Sequence, residues 1–130
     1  MNNKVKVNRG DIFFAVLSGE GSVQRGRRPV VVISNEKNNT HSNILNVVPC
    51  TTKIKKLPVH ANLSMDCGLK QKSQALCEQV YTITKDALEN FVGKATDNDL
   101  REINKALAIQ MGLYGEGESL LSFFIILTQN

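Results

Sequence analysis

Apolar residues fall in short clusters along the first two thirds of the chain and then change period. The run Asp11 to Leu17 (D-I-F-F-A-V-L) follows Gly10 and is dense in β-formers, which predicts a strand. Ser18 to Gly26 mixes three glycines with polar residues and reads as a long loop. Pro29 opens Val30 to Ile33, whose β-branched density marks a buried strand. Asn35 to Ser42 is a polar, turn-forming loop. Ile44 to Val48, Val59 to Leu63 and Ser73 to Ile83 predict further strands, with a basic loop from Thr51 to Lys56 between the first two. Lys85 to Phe91 fits a turn or two of helix. Thr96 and Asp99 then stand at capping-box spacing, and Leu100, Ile103, Leu107 and Met111 repeat at intervals of three and four up to Gly112. The pattern predicts a mainly β (α+β) fold: a small barrel or strongly curved sheet closed by a C-terminal amphipathic helix.

Length and composition narrow this picture. With 130 residues, 42% hydrophobic and 22% charged, the chain suits one packed domain rather than a disordered segment. So small a domain buries limited surface, and self-association is a natural way to bury more. Met1 to Arg9 lacks an apolar core of the kind that secretory signals carry. The longest apolar run, Leu120 to Leu127, falls short of the roughly 20 residues that span a bilayer. A cytoplasmic location without membrane association is therefore expected. Cys50, Cys67 and Cys77 form no C-x-x-C pair, and His41 and His60 lie far apart without carboxylate or Cys at ligand spacing. Neither a disulfide framework nor a metal site is expected, and no cofactor is implied.

The net charge of +4 is unevenly placed. Arg25, Arg27 and Arg28 cluster in one loop, and Lys53, Lys55 and Lys56 in another. Two such loops suit a polyanion such as RNA, although a solvated surface has the same composition.

Five segments then come in a specific order. They are R-G-D-I-F-F-A from Arg9, G-R-R-P-V-V-V-I from Gly26, T-T-K-I-K-K-L-P from Thr51, C-E-Q-V-Y-T-I from Cys77 and A-L-A-I-Q-M-G-L from Ala106. Together they resemble the MazF/PemK/Kid family of toxin endoribonucleases from type II toxin–antitoxin modules, across about residues 7–113. The resemblance implies an SH3-like small β-barrel (the fold shared by MazF, PemK and CcdB) with a C-terminal helix, a homodimer and a cognate antitoxin. It implies cleavage of single-stranded RNA at short sequences by 2′-OH attack, without metal, leaving 2′,3′-cyclic phosphate and 5′-hydroxyl ends.

The same resemblance assigns the site. Arg28 matches the family's catalytic arginine, and a guanidinium offers phosphate oxygens a rigid fork of donors that lysine cannot copy. Its pKa above about 12 makes it a reluctant base, so its electrostatic role is the firmer expectation. Thr51 matches the catalytic threonine, whose hydroxyl would donate to a phosphate oxygen or orient the 2′-OH; Thr52 is the alternative one residue on. Ser22 and Gln24 match positions lining the RNA groove. Arg25, Arg27 and Lys53 add phosphate contacts. Glu78 and Gln79 match the family's E-Q pair; the Gln79 amide would offer an unpaired base both donor and acceptor, and Glu78 would either assist base recognition or simply form an ion pair. Tyr81 stands where the family usually has arginine, and a phenol can stack on a base. Gly19, Gly21 and Gly26 would let the Ser18–Gly26 loop move, either as a lid over the substrate or simply as a flexible loop.

After Leu113 the family commonly stops, whereas here S-L-L-S-F-F-I-I-L-T follows within residues 114–130. An uncovered apolar strand is an aggregation hazard, so burial is expected, with a dimer interface one place for it. Two rivals remain on the same scaffold: a toxin that binds a protein, as gyrase poisons do, and a non-catalytic RNA-binding module. Neither needs the Arg28–Thr51 pair.

Overall fold

The computed structural model describes residues 6–21 and 23–113. Ser22 and the apolar extension 114–130 lie outside the described residues. Seven strands and two helices follow in the order β1 (Asp11–Leu17), β2 (Gly26–Val32), α1 (Glu36–His41), β3 (Ile44–Thr51), β4 (His60–Leu63), β5 (Ser73–Leu76), β6 (Tyr81–Thr84), β7 (Leu88–Lys94) and α2 (Asp97–Gln110). All strand pairs are antiparallel, in the order β4-β5-β3-β2-β1-β7, with β6 also paired to β3. This is the mainly β architecture with a C-terminal helix that the sequence pattern predicts.

Strand alternation divides the interior in two. Ile12, Val31, Val48, Cys50, Ala61, Leu63, Ala75 and Cys77 face α2, which seats Ile103 and Ala106 among them. Phe13, Ala15, Leu17, Val30, Val32, Leu45 and Val47 fill the other face, flanked by Tyr81, Ile83 and Leu88. Cys50, Cys67 and Cys77 are all buried free thiols. The helical stripe is real as far as Leu107, but Met111 is 56% exposed and Ala106 takes the inward position instead.

The strand order ends at β4 and β7, which are not paired among the described residues. The two ends nevertheless meet through backbone. A Cβ on Gly93 of β7 would stand 2.1 Å from the Cys67 carbonyl oxygen, and one on Gly68 would stand 2.8 Å from that of Val92. Two glycines thus let the turn after β4 press directly on β7, so the sheet curls to a barrel-like form without a closing ladder.

Three local expectations change. Asn35–Ser42 is not simply a loop, because Asn35 caps a short helix by accepting from the Asn38 N–H at 2.8 Å. Its asparagine-rich sequence has no apolar stripe to announce it. Ser73 to Ile83 is two strands, since three residue steps on β3 (Val47 to Cys50) face six on the other side (Tyr81 to Ala75). The surplus is taken up at residues 77–80, a bulge that starts from buried Cys77. Lys85–Phe91 is a single 3-10 turn (Lys85–Ala87) leading into β7, not helix. Two register shifts against β1 break the alternation there, so Leu88 and Phe91 fall at a helix-like spacing while belonging to a strand.

The capping box holds. Thr96 Oγ1 accepts from the Asp99 N–H at 3.1 Å, and Asp99 Oδ2 accepts from the Thr96 N–H at 3.0 Å. Asp99 is buried and also accepts from Ser64, from its N–H at 2.9 Å and its hydroxyl at 3.2 Å, so one carboxylate ties α2 to the end of β4. Asp99→Ala is expected to cost about 2 kcal/mol, a lost cap plus unpaired donors at Ser64. Urea unfolding measures this, and a cost below half that value would mean the tie to β4 contributes nothing.

Candidate active site

The site grows from where β2 and β3 stop pairing with each other. Their register is Val30↔Pro49, Val31↔Val48 and Val32↔Val47. Continued two residues towards these strand ends, it sets Arg28 level with Thr51. Both lie two residues from a paired position, so both side chains project from one face. Tyr81 shares that face through its pairing with Val47.

The bulge between β5 and β6 supplies the next side chains. Gln79 Oε1 accepts from the Gln24 N–H at 2.8 Å, and the Tyr81 hydroxyl donates to the Gln24 carbonyl. Both polar backbone groups of Gln24 are thereby held, one by the bulge and one by the start of β6, which fastens the end of the 18–25 loop beside the site. The loop's neck is also tight, because a Cβ on Gly19 would stand 2.2 Å from the Gln24 carbonyl oxygen. That glycine serves close packing as much as movement. Burial pushes the Tyr81 phenol up, and the Arg28 charge opposes it, which puts the guanidinium within electrostatic reach of the hydroxyl. Arg28 Nε itself donates to the Arg25 carbonyl at 3.2 Å.

Thr51 ends β3 half-buried, and its Oγ1 accepts from the Lys53 N–H at 3.0 Å. With one lone pair so used, the hydroxyl proton is left to donate to a ligand oxygen. A concavity of about 210 Å³ is lined by Gln24, Thr51, Lys53, His60, Glu78 and Gln79, among others. Arg28, Tyr81, Arg25 and Thr52 are not among its lining residues, and Thr52 is exposed. Arg27 goes elsewhere. Next to Arg28 on a strand, it points to the opposite face, where it donates to Glu89 at 2.7 Å and Asn90 at 3.0 Å and stacks on Phe14. Ser22 lies outside the described residues.

Two site residues have no signal in the sequence. Buried Gln74 pairs with Thr51 in the β3–β5 ladder, accepts from the Lys55 N–H and donates to the Lys55 carbonyl, so it fixes the course of the basic loop. His60 brings its Nε2 within 2.9 Å of Glu78 Oε2. Its carboxylate partner comes from 18 residues away, which spacing along the chain does not reveal. A larger hollow of about 410 Å³ lies on the other side of the 56–60 segment, against Glu102, Lys105 and Ile109 of α2. It contains neither Thr51 nor Gln79. The R-G-D triplet is structural: Asp11 Oδ2 accepts from the Asn8 N–H at 2.8 Å, and Arg9 Nε donates to the Ile33 carbonyl at 2.7 Å.

At the buried start of the bulge, the Cys77 thiol is pushed up to about 12, first by burial and then by the Glu78 charge, with Arg9 opposing. The fold therefore favours the neutral thiol. That contribution is complete below the ordinary thiol pKa of about 8.5 and is lost as pH rises towards the folded value. Stability should decline above about pH 9, and less steeply in Cys77→Ala. Urea midpoints across that range check this, and equal slopes would contradict it.

Among the described residues, no group of three or more His, Cys, Asp or Glu side chains is arranged to hold a metal ion. No helix there is long and apolar enough to cross a membrane.

Residues 8–111 match a family described as PemK-like, MazF-like toxin of type II toxin–antitoxin system. The chain is 35% identical over 112 residues to a protein named Endoribonuclease MazF from Staphylococcus saprophyticus, an alignment covering 83% of this chain and 93% of that one. Among solved structures, it resembles an endoribonuclease from a mycobacterial species bound to its cognate antitoxin (TM-score 0.72, 24% identity, 85% of this chain and 99% of that one). It also resembles MazF from Deinococcus radiodurans (TM-score 0.72, 20% identity, 83% and 98%). These structural likenesses speak to the fold, and the family match spans most of the sequence. The chain belongs to the PemK/MazF toxin family of type II toxin–antitoxin systems.

Proposed function

We propose that this protein is the toxin of its module and acts as an endoribonuclease on single-stranded RNA, cutting at short specific sequences without metal. What supports this is the β2–β3 register, which, continued past its last pair Val30↔Pro49, brings Arg28 level with Thr51 at one strand end, with Thr51 lining a concavity edged by lysines and hydrogen-bonding side chains. The Staphylococcus saprophyticus relative, named Endoribonuclease MazF, supports it.

In this reading the RNA backbone lies along the β2–β3 ends. The ribose 2′-OH attacks the adjacent phosphorus, giving a 2′,3′-cyclic phosphate and releasing a 5′-hydroxyl. Arg28 presents its free guanidinium nitrogens to the phosphorane oxygens, where charge builds up. Thr51 donates its hydroxyl to the same group, while Lys53 and Arg25 hold flanking phosphates. Gln24, Gln79 and Tyr81 form the wall against which bases rest, and Ser22 and Thr52 extend the substrate contacts. Arg27, paired with Glu89 on the opposite face, takes no part in this surface. The toxin works in the cytoplasm as a homodimer and is held off by a cognate antitoxin; the mycobacterial neighbour is itself in complex with its cognate antitoxin.

Thr51→Val keeps the shape and removes the hydroxyl, so the single-turnover rate should fall about 10-fold to 100-fold, the worth of one donor to developing charge. An unchanged rate would move the role to Thr52. The attack itself is tested with a cleavable oligonucleotide carrying a single 2′-deoxyribose at the scissile position. That substrate should bind and remain intact, and cleavage at the modified position would overturn the 2′-OH mechanism.

A further inference from the structure

We propose that buried Gln74 is a positioning residue for substrate binding: by clasping the backbone of Lys55 it aims Lys53 and Lys55 at the concavity beside Thr51, where both meet phosphates of the RNA, and leaves Lys56 outside. The proposal rests on the ribonuclease reading above for its single-stranded RNA, and adds a further phosphate contact, Lys55, with the residue that sets it. In the sequence, Lys53, Lys55 and Lys56 form one basic cluster. The fold divides them. Lys53 and Lys55 line the concavity that contains Thr51, whereas Lys56 lines the larger hollow against α2.

Residues 52–58 are exposed throughout, so no buried side chain of their own anchors them. Such a segment keeps its course chiefly through hydrogen bonds to its backbone. Thr51 Oγ1 holds the Lys53 N–H at 3.0 Å. Gln74 then takes both polar backbone groups of Lys55: Oε1 accepts from the N–H at 3.0 Å, and Nε2 donates to the carbonyl at 2.9 Å. One side-chain amide thus does for Lys55 what a neighbouring strand does for a ladder residue. The other Nε2 proton goes to Asn62 Oδ1 at 2.9 Å. Among the described residues, no other side chain from outside 51–58 bonds to this stretch of backbone. Gln74 holds its place because it pairs with Thr51 of β3 on one side and Asn62 of β4 on the other. It is only 3% exposed, so it acts through the lysines rather than on the RNA. Lys55 and Asn62 are exposed, and water takes over their polar groups when the amide is removed. Losing the clasp therefore costs the fold little, while two lysines lose their aim.

The test measures binding of a labelled 2′-O-methyl oligoribonucleotide of mixed sequence, which has no 2′-hydroxyl to attack with, over a series of salt concentrations. Each lysine that meets a phosphate contributes about 0.7 to the slope of log affinity against log salt. Lys53→Ala and Lys55→Ala should each lower the slope by about that amount, and Lys56→Ala should leave it unchanged. Gln74→Met keeps an unbranched side chain of similar length, removes its hydrogen bonds and retains all three lysines. Its slope should nevertheless fall by about 0.7 to 1.4, with a thermal midpoint close to wild type. In a Lys53→Ala/Lys55→Ala background, Gln74→Met should change nothing further. A wild-type slope in folded Gln74→Met, or an undiminished further loss in the double-lysine background, overturns the positioning role. Equal slopes for Lys55→Ala and Lys56→Ala overturn the division of the cluster, and that comparison decides the matter if Gln74→Met fails to fold. Wild-type binding that does not weaken with salt overturns both. Lysine-dependent binding by a wild type that cuts no natural RNA would instead defeat the ribonuclease reading and leave the clasp standing.

Discussion

Arg28→Ala is expected to lower the single-turnover rate of RNA cleavage by about 10²–10³-fold, the usual loss when a preorganised donor to developing charge is removed. The fold should survive, because Arg28 is half-buried and its described side-chain bond is the one from Nε to the Arg25 carbonyl. Arg28→Lys should recover little of the rate, since a point charge on a flexible stem cannot reproduce a planar fork. The thermal midpoint should stay near wild type in both variants. Cleavage within a few-fold of wild type in Arg28→Ala would remove this residue from the chemistry.

Gly93→Ala is expected to destabilise the fold by about 3 kcal/mol, at the upper end of overpacking effects. The new methyl would lie 2.1 Å from the Cys67 carbonyl oxygen and 3.0 Å from the Gly68 Cα, and both are backbone atoms that cannot rotate away. Either β7 or the turn after β4 must move, and that contact joins the two ends of the sheet. A drop in the thermal midpoint of roughly 10 °C follows for a domain of this size. A midpoint close to wild type would mean that the ends of the sheet do not bear on each other there.

What the sequence could tell depended on how local each signal was. The apolar runs of β1 to β3 and the Thr96–Asp99 box are written in neighbouring residues, and the structure has both. The five-segment resemblance likewise led to the family. Three features lay beyond such signals. The bulge at residues 77–80 exists because β5 and β6 take different registers on β3, which depends on both sides of the ladder. β7 is disguised by its own irregular register against β1. His60–Glu78 and Gln74–Lys55 are contacts across 18 and 19 residues, created by the sheet rather than by spacing. The arginine cluster shows the converse limit. Arg25, Arg27 and Arg28 read as one basic patch, yet strand alternation sends Arg27 to Glu89 and leaves Arg28 on the face shared with Thr51.

The central claim, that this toxin cuts RNA using Arg28 and Thr51 rather than a metal, is tested most directly by one incubation. Purified protein is mixed with a long RNA of varied sequence in excess EDTA, and the fragment ends are mapped. Discrete cuts bearing 5′-hydroxyl and 2′,3′-cyclic phosphate ends, absent with Arg28→Ala, are the predicted result. Intact RNA in the presence of demonstrably folded wild-type protein, or cleavage that returns only when a divalent metal is restored, would contradict it.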